Sequence, residues 1–167
     1  MIFVTVGTHE QPFNRLIEYM DHWAETHSEK VIMQTGFSSY TPKHVEWKEF
    51  YPYQEMLEMV KDARIVITHG GPSSFIMPLQ ISKIPIVVPR EKQYGEHVNN
   101  HQVDFCREVA NRMGTIIEVE NMQDLARAIE HYDYVISQSK RKNESNNAIF
   151  CEKLKSIVVT MFEGSKQ

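Results

Sequence analysis

The strongest constraint on the fold is a regular alternation between short apolar runs and longer amphipathic segments. Residues 84–88 form a nearly continuous apolar run, which is typical of a strand that is buried on both faces of a sheet. Residues 14–27 show the spacing of an amphipathic helix, with Leu16, Ile17 and Met20 on one side. Because the runs and the helical segments alternate along the chain, the sequence predicts an α/β fold with a doubly wound parallel sheet.

The boundaries of the predicted elements follow from turn residues and periodicity. A chain of 167 residues has the size of one domain, so residues 1–167 are predicted to form a single domain. The last helix, at about 146–162, has an apolar side larger than one small domain needs, so it packs either on its own sheet or on a partner. The predicted strands cover residues 2–6, 31–34, 45–50, 64–68, 84–88 and 115–119, and the helices 14–27, 53–62, 73–82, 97–113, 122–136 and 146–162.

Composition excludes several classes of function. The net charge of −4 argues against a nucleic-acid partner. The two cysteines, Cys106 and Cys151, lack the spacing of a metal site and are expected to be reduced thiols. The sequence has no run of about 18 apolar residues, so no membrane span is expected. The N-terminal MIFVTVG lacks the basic region of a signal peptide, which predicts a cytoplasmic protein.

The second of three predicted loops carries the most distinctive residues. In a parallel sheet of this type, ligands bind outside the carboxyl ends of the strands, which selects the loops 7–13, 69–74 and 90–97. The second loop follows a buried strand and opens a helix, where unpaired amides favour a phosphate. A tight turn capped by serine is the alternative explanation. The candidate phosphate-binding residues of this loop are His69, Gly70, Gly71, Ser73 and Ser74.

The other two loops offer further ligand groups. Gly7, Thr8 and His9 follow the first strand and could face the same ligand. In the third loop, Glu96, His97 and Asn100 have side chains that can hydrogen-bond sugar hydroxyls, although a solvated loop with a capped helix is also consistent with them.

Common cofactor and metal motifs are missing. His97 and His101 have the i, i+4 spacing of metal ligands, but no H-E-x-x-H pattern accompanies them, so no metal is expected. The first loop is not G-x-G-x-x-G, and Gln34, Thr35 and Gly36 stand where a dinucleotide-binding acid is expected. A P-loop motif is absent as well. The sequence therefore predicts neither a metal nor a bound cofactor.

Three long segments resemble the C-terminal, donor-binding domain of glycosyltransferase family 28. They are FVTVGTHEQPFNRL at 3–16, ITHGGPSSF at 67–75 and KIPIVVPREKQYGEHVNNHQ at 83–102. The closer resemblance is to small one-domain members, which include bacterial exopolysaccharide galactosyltransferase subunits and the catalytic subunit of the eukaryotic dolichol-pyrophosphate GlcNAc transferase. The resemblance implies a Rossmann-like half of a GT-B fold.

The resemblance also assigns roles to residues. It implies that a UDP-sugar binds with uracil at the backbone of residues 51–53, including Tyr53. The diphosphate would lie at the second loop beside Gly7, Thr8 and His9, and the sugar would contact Glu96 and His97. One departure concerns the ribose, because many family members carry a glutamate where this chain has Met77 or Pro78.

The function implied is that of an inverting hexosyltransferase subunit in exopolysaccharide or capsule synthesis. It would transfer a sugar, with β-1,4-linked galactose as the specific expectation, from a UDP-sugar to a polyprenyl-diphosphate-linked sugar. A membrane-associated subunit would bind the acceptor and recruit the chain to the inner face of the membrane. His9 is the candidate general base in this chain, and its alternative roles are a diphosphate ligand and a structural loop residue. The general base could also come from the partner subunit. The alternative function is a non-catalytic helper subunit. An epimerase is disfavoured because such enzymes carry both halves of the fold in one chain.

Overall fold

Six parallel strands form one sheet in the order β3-β2-β1-β4-β5-β6. The structure, a computed structural model, describes residues 1–138 and 147–163. This strand order places β1 and β4 side by side at the centre, in register from Ile2 beside Ile65 to Thr5 beside Thr68. The strands are β1 (Ile2–Thr5), β2 (Val31–Gln34), β3 (Glu46–Lys48), β4 (Ile65–His69), β5 (Ile86–Val88) and β6 (Ile117–Glu118).

Helices cover both faces of the sheet, so the predicted doubly wound α/β architecture is confirmed. Two 3₁₀ turns, Lys92–Tyr94 and Met122–Asp124, interrupt the third loop and the segment after β6. The helices are α1 (Asn14–Thr26), α2 (Tyr53–Asp62), α3 (Pro72–Gln80), α4 (His101–Met113), α5 (Leu125–Glu130), α6 (Tyr132–Gln138) and α7 (Asn147–Glu163).

Alternating side chains of the strands supply two separate cores. Val4 and Ile67 point to the face that is covered by α1 and by α5, whose Leu125 is fully buried. Phe3 and Val66 point to the opposite face and pack on α2. Successive side chains of a strand alternate between faces, so each central strand contributes to both cores. The apolar runs that predicted the strands are therefore buried on both sides.

Some predicted boundaries were wrong. The segment 122–136 is not one helix but a 3₁₀ turn followed by α5 and α6. Tyr132 is buried and its hydroxyl donates to the carbonyl of Ile84 at 2.7 Å, which holds α6 against the sheet. The helix predicted to begin at His97 begins at His101, because the third loop continues to Asn100, which occupies the N-cap.

The last helix exposes its apolar residues. Every side chain from residue 149 to 160 is exposed to solvent, and the apolar ones include Phe150, Leu154 and Ile157. The predicted first residue of this helix, Asn146, lies outside the described residues. Packing of α7 on a partner stays a prediction. Within residues 1–138 and 147–163, helices that combine the length and the apolar character needed to span a bilayer are absent.

Candidate functional site

A cleft of about 590 Å³ opens at the carboxyl ends of β1 and β4, between the N-terminal part of α2 and one face of α3. It lies where the topology of a doubly wound sheet places a ligand site. Seven of the predicted site residues line it: Gly7, Thr8, His9, Tyr53, His69, Ser73 and Ser74. The first and second loops are thus brought together, as the sequence predicted.

His69 lies at the junction of these two loops and is only 8% exposed. A Cβ added to either Gly7 or Gly71 would collide with its ring, so both glycines are needed for the close approach. The ring accepts a hydrogen bond from the Gly71 amide at 3.0 Å and lies 2.8 Å from Ser74 Oγ. Burial, aided by the charge of Arg90, lowers the pKa of His69 to about 4, so the ring is neutral at physiological pH.

The first loop takes its shape from Gly7 and from a buried glutamine. Gly7 has a φ of +73°, a conformation that other residues adopt at a cost. The Gln34 side chain donates to the Gly7 carbonyl at 3.4 Å and to Thr5 Oγ1 at 3.2 Å, and it accepts from the Tyr51 amide. This single amide connects the first loop to the segment that precedes α2.

His9 stands at the mouth of the cleft, beside His97. The two rings are stacked, with centroids 5.2 Å apart. His9 Nε2 lies 2.9 Å from Gln11 Oε1, an atom that only accepts hydrogen bonds. In the neutral ring the proton is therefore on Nε2, and Nδ1 carries the lone pair.

Arg90 ties the third loop to the first. Its guanidinium is buried and donates to the carbonyls of Gln11 at 2.7 Å and Val6 at 2.9 Å, and also to that of Glu96. Burial lowers the pKa of Arg90 to about 10, with the charge of Glu96 opposing the shift. The buried cation thus satisfies several backbone acceptors of both loops. Sequence reasoning missed it, because an arginine just past a strand is usually exposed.

The remaining predicted residues are not among those that line the cleft. Gly70 and Gly71 form the turn before α3. Glu96 is buried and paired with Arg15, and Asn100 Oδ1 accepts from the Lys92 amide at 2.9 Å. The sugar contacts predicted for Glu96, His97 and Asn100 stay predictions.

One face of α3 contributes Ser73, which the sequence had selected, and three lining residues that it had not selected for the site. Ser73, Ile76, Met77 and Gln80 follow the i, i+3, i+4, i+7 pattern of a single helix face and all line the cleft. Met77, where the family glutamate was expected, thus reaches the cleft. The periodicity was a usable signal, but it equally fits a face packed into the core. The other lining residues missed are Thr5, Gln34 and Met56.

The titratable side chains do not form a metal site in the part of the chain that is described. Within residues 1–138 and 147–163, no three His, Cys, Asp or Glu side chains are grouped closely enough to hold an ion. His97 and His101 differ in their contacts, since His97 stacks on His9 and His101 on Phe105.

Comparison with known proteins decides the family. Residues 1–161 match the sequence profile of the glycosyltransferase family 28 C-terminal domain. The chain belongs to this family. The match covers the cleft and most of α7, so the family 28 domain contains all three loops described above. No curated protein is similar enough to count as a relative.

A solved structure supports the fold of the family 28 domain. The glycosyltransferase SnogD from Streptomyces nogalater superposes with a TM-score of 0.52 at 16% sequence identity. The alignment covers 90% of this chain and 42% of SnogD, so the chain spans about two fifths of that protein's length. The Rossmann-like half of a GT-B fold is confirmed.

Proposed function

We propose that this family 28 domain is the donor-binding, catalytic subunit of an inverting glycosyltransferase that uses a UDP-sugar. The observation that carries the proposal is the contact between the first and second loops at His69. Two strand ends and the N-terminus of α3 converge there on one cleft. A helix N-terminus with unpaired amides favours a diphosphate. The volume of the cleft suits a nucleotide.

The diphosphate would bind at Ser73, Ser74 and Thr8. A helix leaves its first amides without intrahelical acceptors, and the dipole of α3 adds partial positive charge. These groups would stabilise the charge on the departing UDP as the bond from the anomeric carbon to the phosphate oxygen breaks. The uracil would lie near Tyr53, at the other end of the cleft.

His9 would act as the general base. The acceptor hydroxyl would attack the anomeric carbon from the face opposite the UDP, and its proton would pass to Nδ1 of His9, which carries the lone pair. His97 stacks on this ring and would contact the donor sugar with Glu96 and Asn100. Galactose is the proposed sugar, transferred in a β-1,4 linkage.

A second subunit would supply the acceptor. We propose that it is membrane-associated, that it presents a polyprenyl-diphosphate-linked sugar, and that it recruits the chain to the inner face of the membrane for exopolysaccharide or capsule synthesis. The exposed apolar face of α7 supports this partner, because Phe150, Leu154 and Ile157 are 46–60% exposed. Burying such a patch on another protein is favourable.

A calorimetric titration with UDP, and then with several UDP-sugars, tests the identity of the donor. Saturable binding of UDP, with CDP and ADP weaker, is expected. Binding of none of the three nucleotides would overturn the proposal.

The alternative is a non-catalytic helper that activates a partner enzyme. The observation in its favour is Met77, which lines the cleft where a ribose-binding glutamate is common in the family. The test substitutes both Gly70 and Gly71 by alanine and measures sugar transfer with the co-expressed partner. It distinguishes an enzyme from a helper subunit. Loss of transfer indicates the enzyme, and full transfer indicates the helper.

A further inference from the structure

The hydrogen bonds of His69 fix which ring nitrogen carries the proton. The Gly71 amide donates to Nδ1 at 3.0 Å, which assigns Nδ1 as the unprotonated nitrogen, and the Gln102 side chain also hydrogen-bonds the ring. A neutral imidazole has one N–H, which is then on Nε2. Nε2 lies 2.8 Å from Ser74 Oγ and therefore donates to the serine hydroxyl.

This hydrogen bond constrains the Ser74 hydroxyl. A hydroxyl accepts with its lone pairs and donates with one hydrogen. With Nε2–H bonded to the oxygen, the Ser74 hydrogen must point to another acceptor. Ser74 lines the cleft in the first turn of α3, and its amide already donates to the carbonyl of Gly71 at 3.0 Å. Because Ser74 lines the cleft, its hydroxyl hydrogen can be donated to a ligand that binds there.

The ring itself has little freedom to reorient. It is 8% exposed and lies between Gly7 and Gly71, where a Cβ on either residue would collide with it. Burial also holds its pKa at about 4, so the ring stays neutral and keeps this proton arrangement. Because the buried ring is neutral, it cannot act as a cation that pairs with a phosphate.

We propose that His69 is a positioning residue, which orients the Ser74 hydroxyl as a hydrogen-bond donor to the diphosphate of the nucleotide donor. This inference rests on the proposed function and deepens it. It assigns the phosphate contact to the serine rather than to the histidine. The diphosphate is then held by neutral dipoles, namely a hydroxyl and amides.

Two substitutions of His69 distinguish the contributions of the two ring nitrogens. In His69→Gln the side-chain amide nitrogen stands near the position of Nε2 and can still donate to Ser74. In His69→Asn the side-chain oxygen stands near Nδ1 and can accept from Gly71, but the donor to Ser74 is lost. We expect UDP affinity within about threefold of wild type for His69→Gln and a loss of about tenfold or more for His69→Asn.

Substitutions of Ser74 complete a double-mutant cycle. Ser74→Ala should weaken UDP binding about as much as His69→Asn, and Ser74→Thr should keep most of the affinity. The double variant His69→Asn/Ser74→Ala should bind no more weakly than Ser74→Ala, because both changes remove the same interaction. His131→Asn changes an exposed histidine outside the cleft and should bind UDP like wild type.

Two results would overturn the inference. One is a double variant in which the two losses multiply. The other is a proton on Nδ1 of His69, detected by ¹⁵N NMR of the ring. This measurement uses the wild-type chain, so it does not depend on the folding of any variant. If wild-type protein fails to bind UDP, the proposed function fails. If it binds UDP but the cycle is additive, only the positioning role fails.

Discussion

Arg15 and Glu96 form a bidentate ion pair between the first helix and the third loop. Arg15 Nε lies 3.0 Å from Glu96 Oε1, and Arg15 Nη2 lies 2.9 Å from Glu96 Oε2. The side chains are 16% and 3% exposed. The Glu91 amide also donates to Glu96 Oε2 at 3.0 Å. A carboxylate that was selected from the sequence as a sugar ligand is therefore also a structural anchor of its loop.

Removal of Glu96 should destabilise the protein strongly. Glu96→Ala removes the bidentate partner of Arg15 and leaves Glu91, whose Oε1 lies 3.4 Å from Arg15 Nη1, as the remaining counter-charge. The loss should cost about 3 kcal/mol in the free energy of unfolding and lower Tm by about 10 °C. Thermal and urea unfolding measure both quantities.

A matched control for this pair lies on the surface. Glu120 Oε1 pairs with Arg107 at 2.6 Å, and their side chains are 40% and 51% exposed. Glu120→Ala should cost under about 1 kcal/mol. The double variant Arg15→Met/Glu96→Leu should recover at least half of the loss. Glu96→Ala with wild-type stability would contradict the prediction.

Gly71→Ala should weaken UDP binding without unfolding the domain. Gly71 has a φ of −74°, so alanine is allowed by the backbone, but its Cβ would collide with the His69 ring. Displacement of the ring should lower UDP affinity about tenfold or more, measured by calorimetry.

Gly95→Ala is the control for this glycine. Gly95 has a φ of +69°, and a Cβ there would meet no described residue within 4 Å. Alanine should therefore cost about 1 kcal/mol of stability from backbone strain and leave UDP affinity unchanged. Equal affinities for Gly71→Ala and wild type would show that the ring tolerates displacement.

His9→Ala should slow catalysis strongly and spare donor binding. Loss of a general base lowers kcat about 10²- to 10⁴-fold, and UDP affinity should change by less than about threefold. The assay measures sugar transfer with the partner subunit present, together with UDP titration. Full transfer by His9→Ala would place the base on the partner.

Glu118 should make stability depend on pH. Burial, reinforced by the charge of Glu120, raises the pKa of Glu118 from 4.5 to about 7, and Oε1 has no hydrogen-bond partner among the described residues. Between pH 4.5 and 7 the folded state holds a proton that the unfolded state has released. The free energy of unfolding therefore falls as pH rises through this window.

Glu118→Gln removes this titration. The measured quantity is the free energy of unfolding of Glu118→Gln minus that of the wild type. After allowance for solvent screening, this difference should be about 1 kcal/mol more favourable to the variant at pH 8 than at pH 4. Urea unfolding at the two pH values measures this difference. Glu130→Gln, at an exposed position, serves as the control and should show the pH profile of the wild type.

The two cysteines should differ in reactivity, and one of them reports on the partner. Burial raises the pKa of Cys106 to about 12, and its Sγ contacts the Gly70 carbonyl beneath the second loop. Cys151 is exposed on α7. Alkylation of the native chain should therefore label Cys151 alone.

Binding of the proposed partner on α7 should slow this labelling. Mass spectrometry with and without the partner measures the rates at Cys151. An unchanged rate in a complex that is demonstrably formed would place the partner elsewhere.

The local sequence determined the elements and the edge of the sheet at which the site lies. Apolar runs such as 65–67 and 86–88 indicated buried strands, and parallel topology then placed residues 7–9 and 69–74 at one edge. Boundaries were less predictable where long-range contacts decide them, as at Tyr132, whose hydroxyl bonds to Ile84, a residue 48 positions away.

Tertiary structure alone decided how the loops are held together. The partners of Arg90 lie 84 and 79 residues away at Val6 and Gln11, and Glu96 lies 81 residues from Arg15. Periodicity and turn chemistry describe neighbours along the chain, so they carry no information about such pairs. The sequence determined which residue types reach the cleft, and packing determined that His69 lies between two glycines and that Glu96 is buried, because burial and pairing depend on the whole fold.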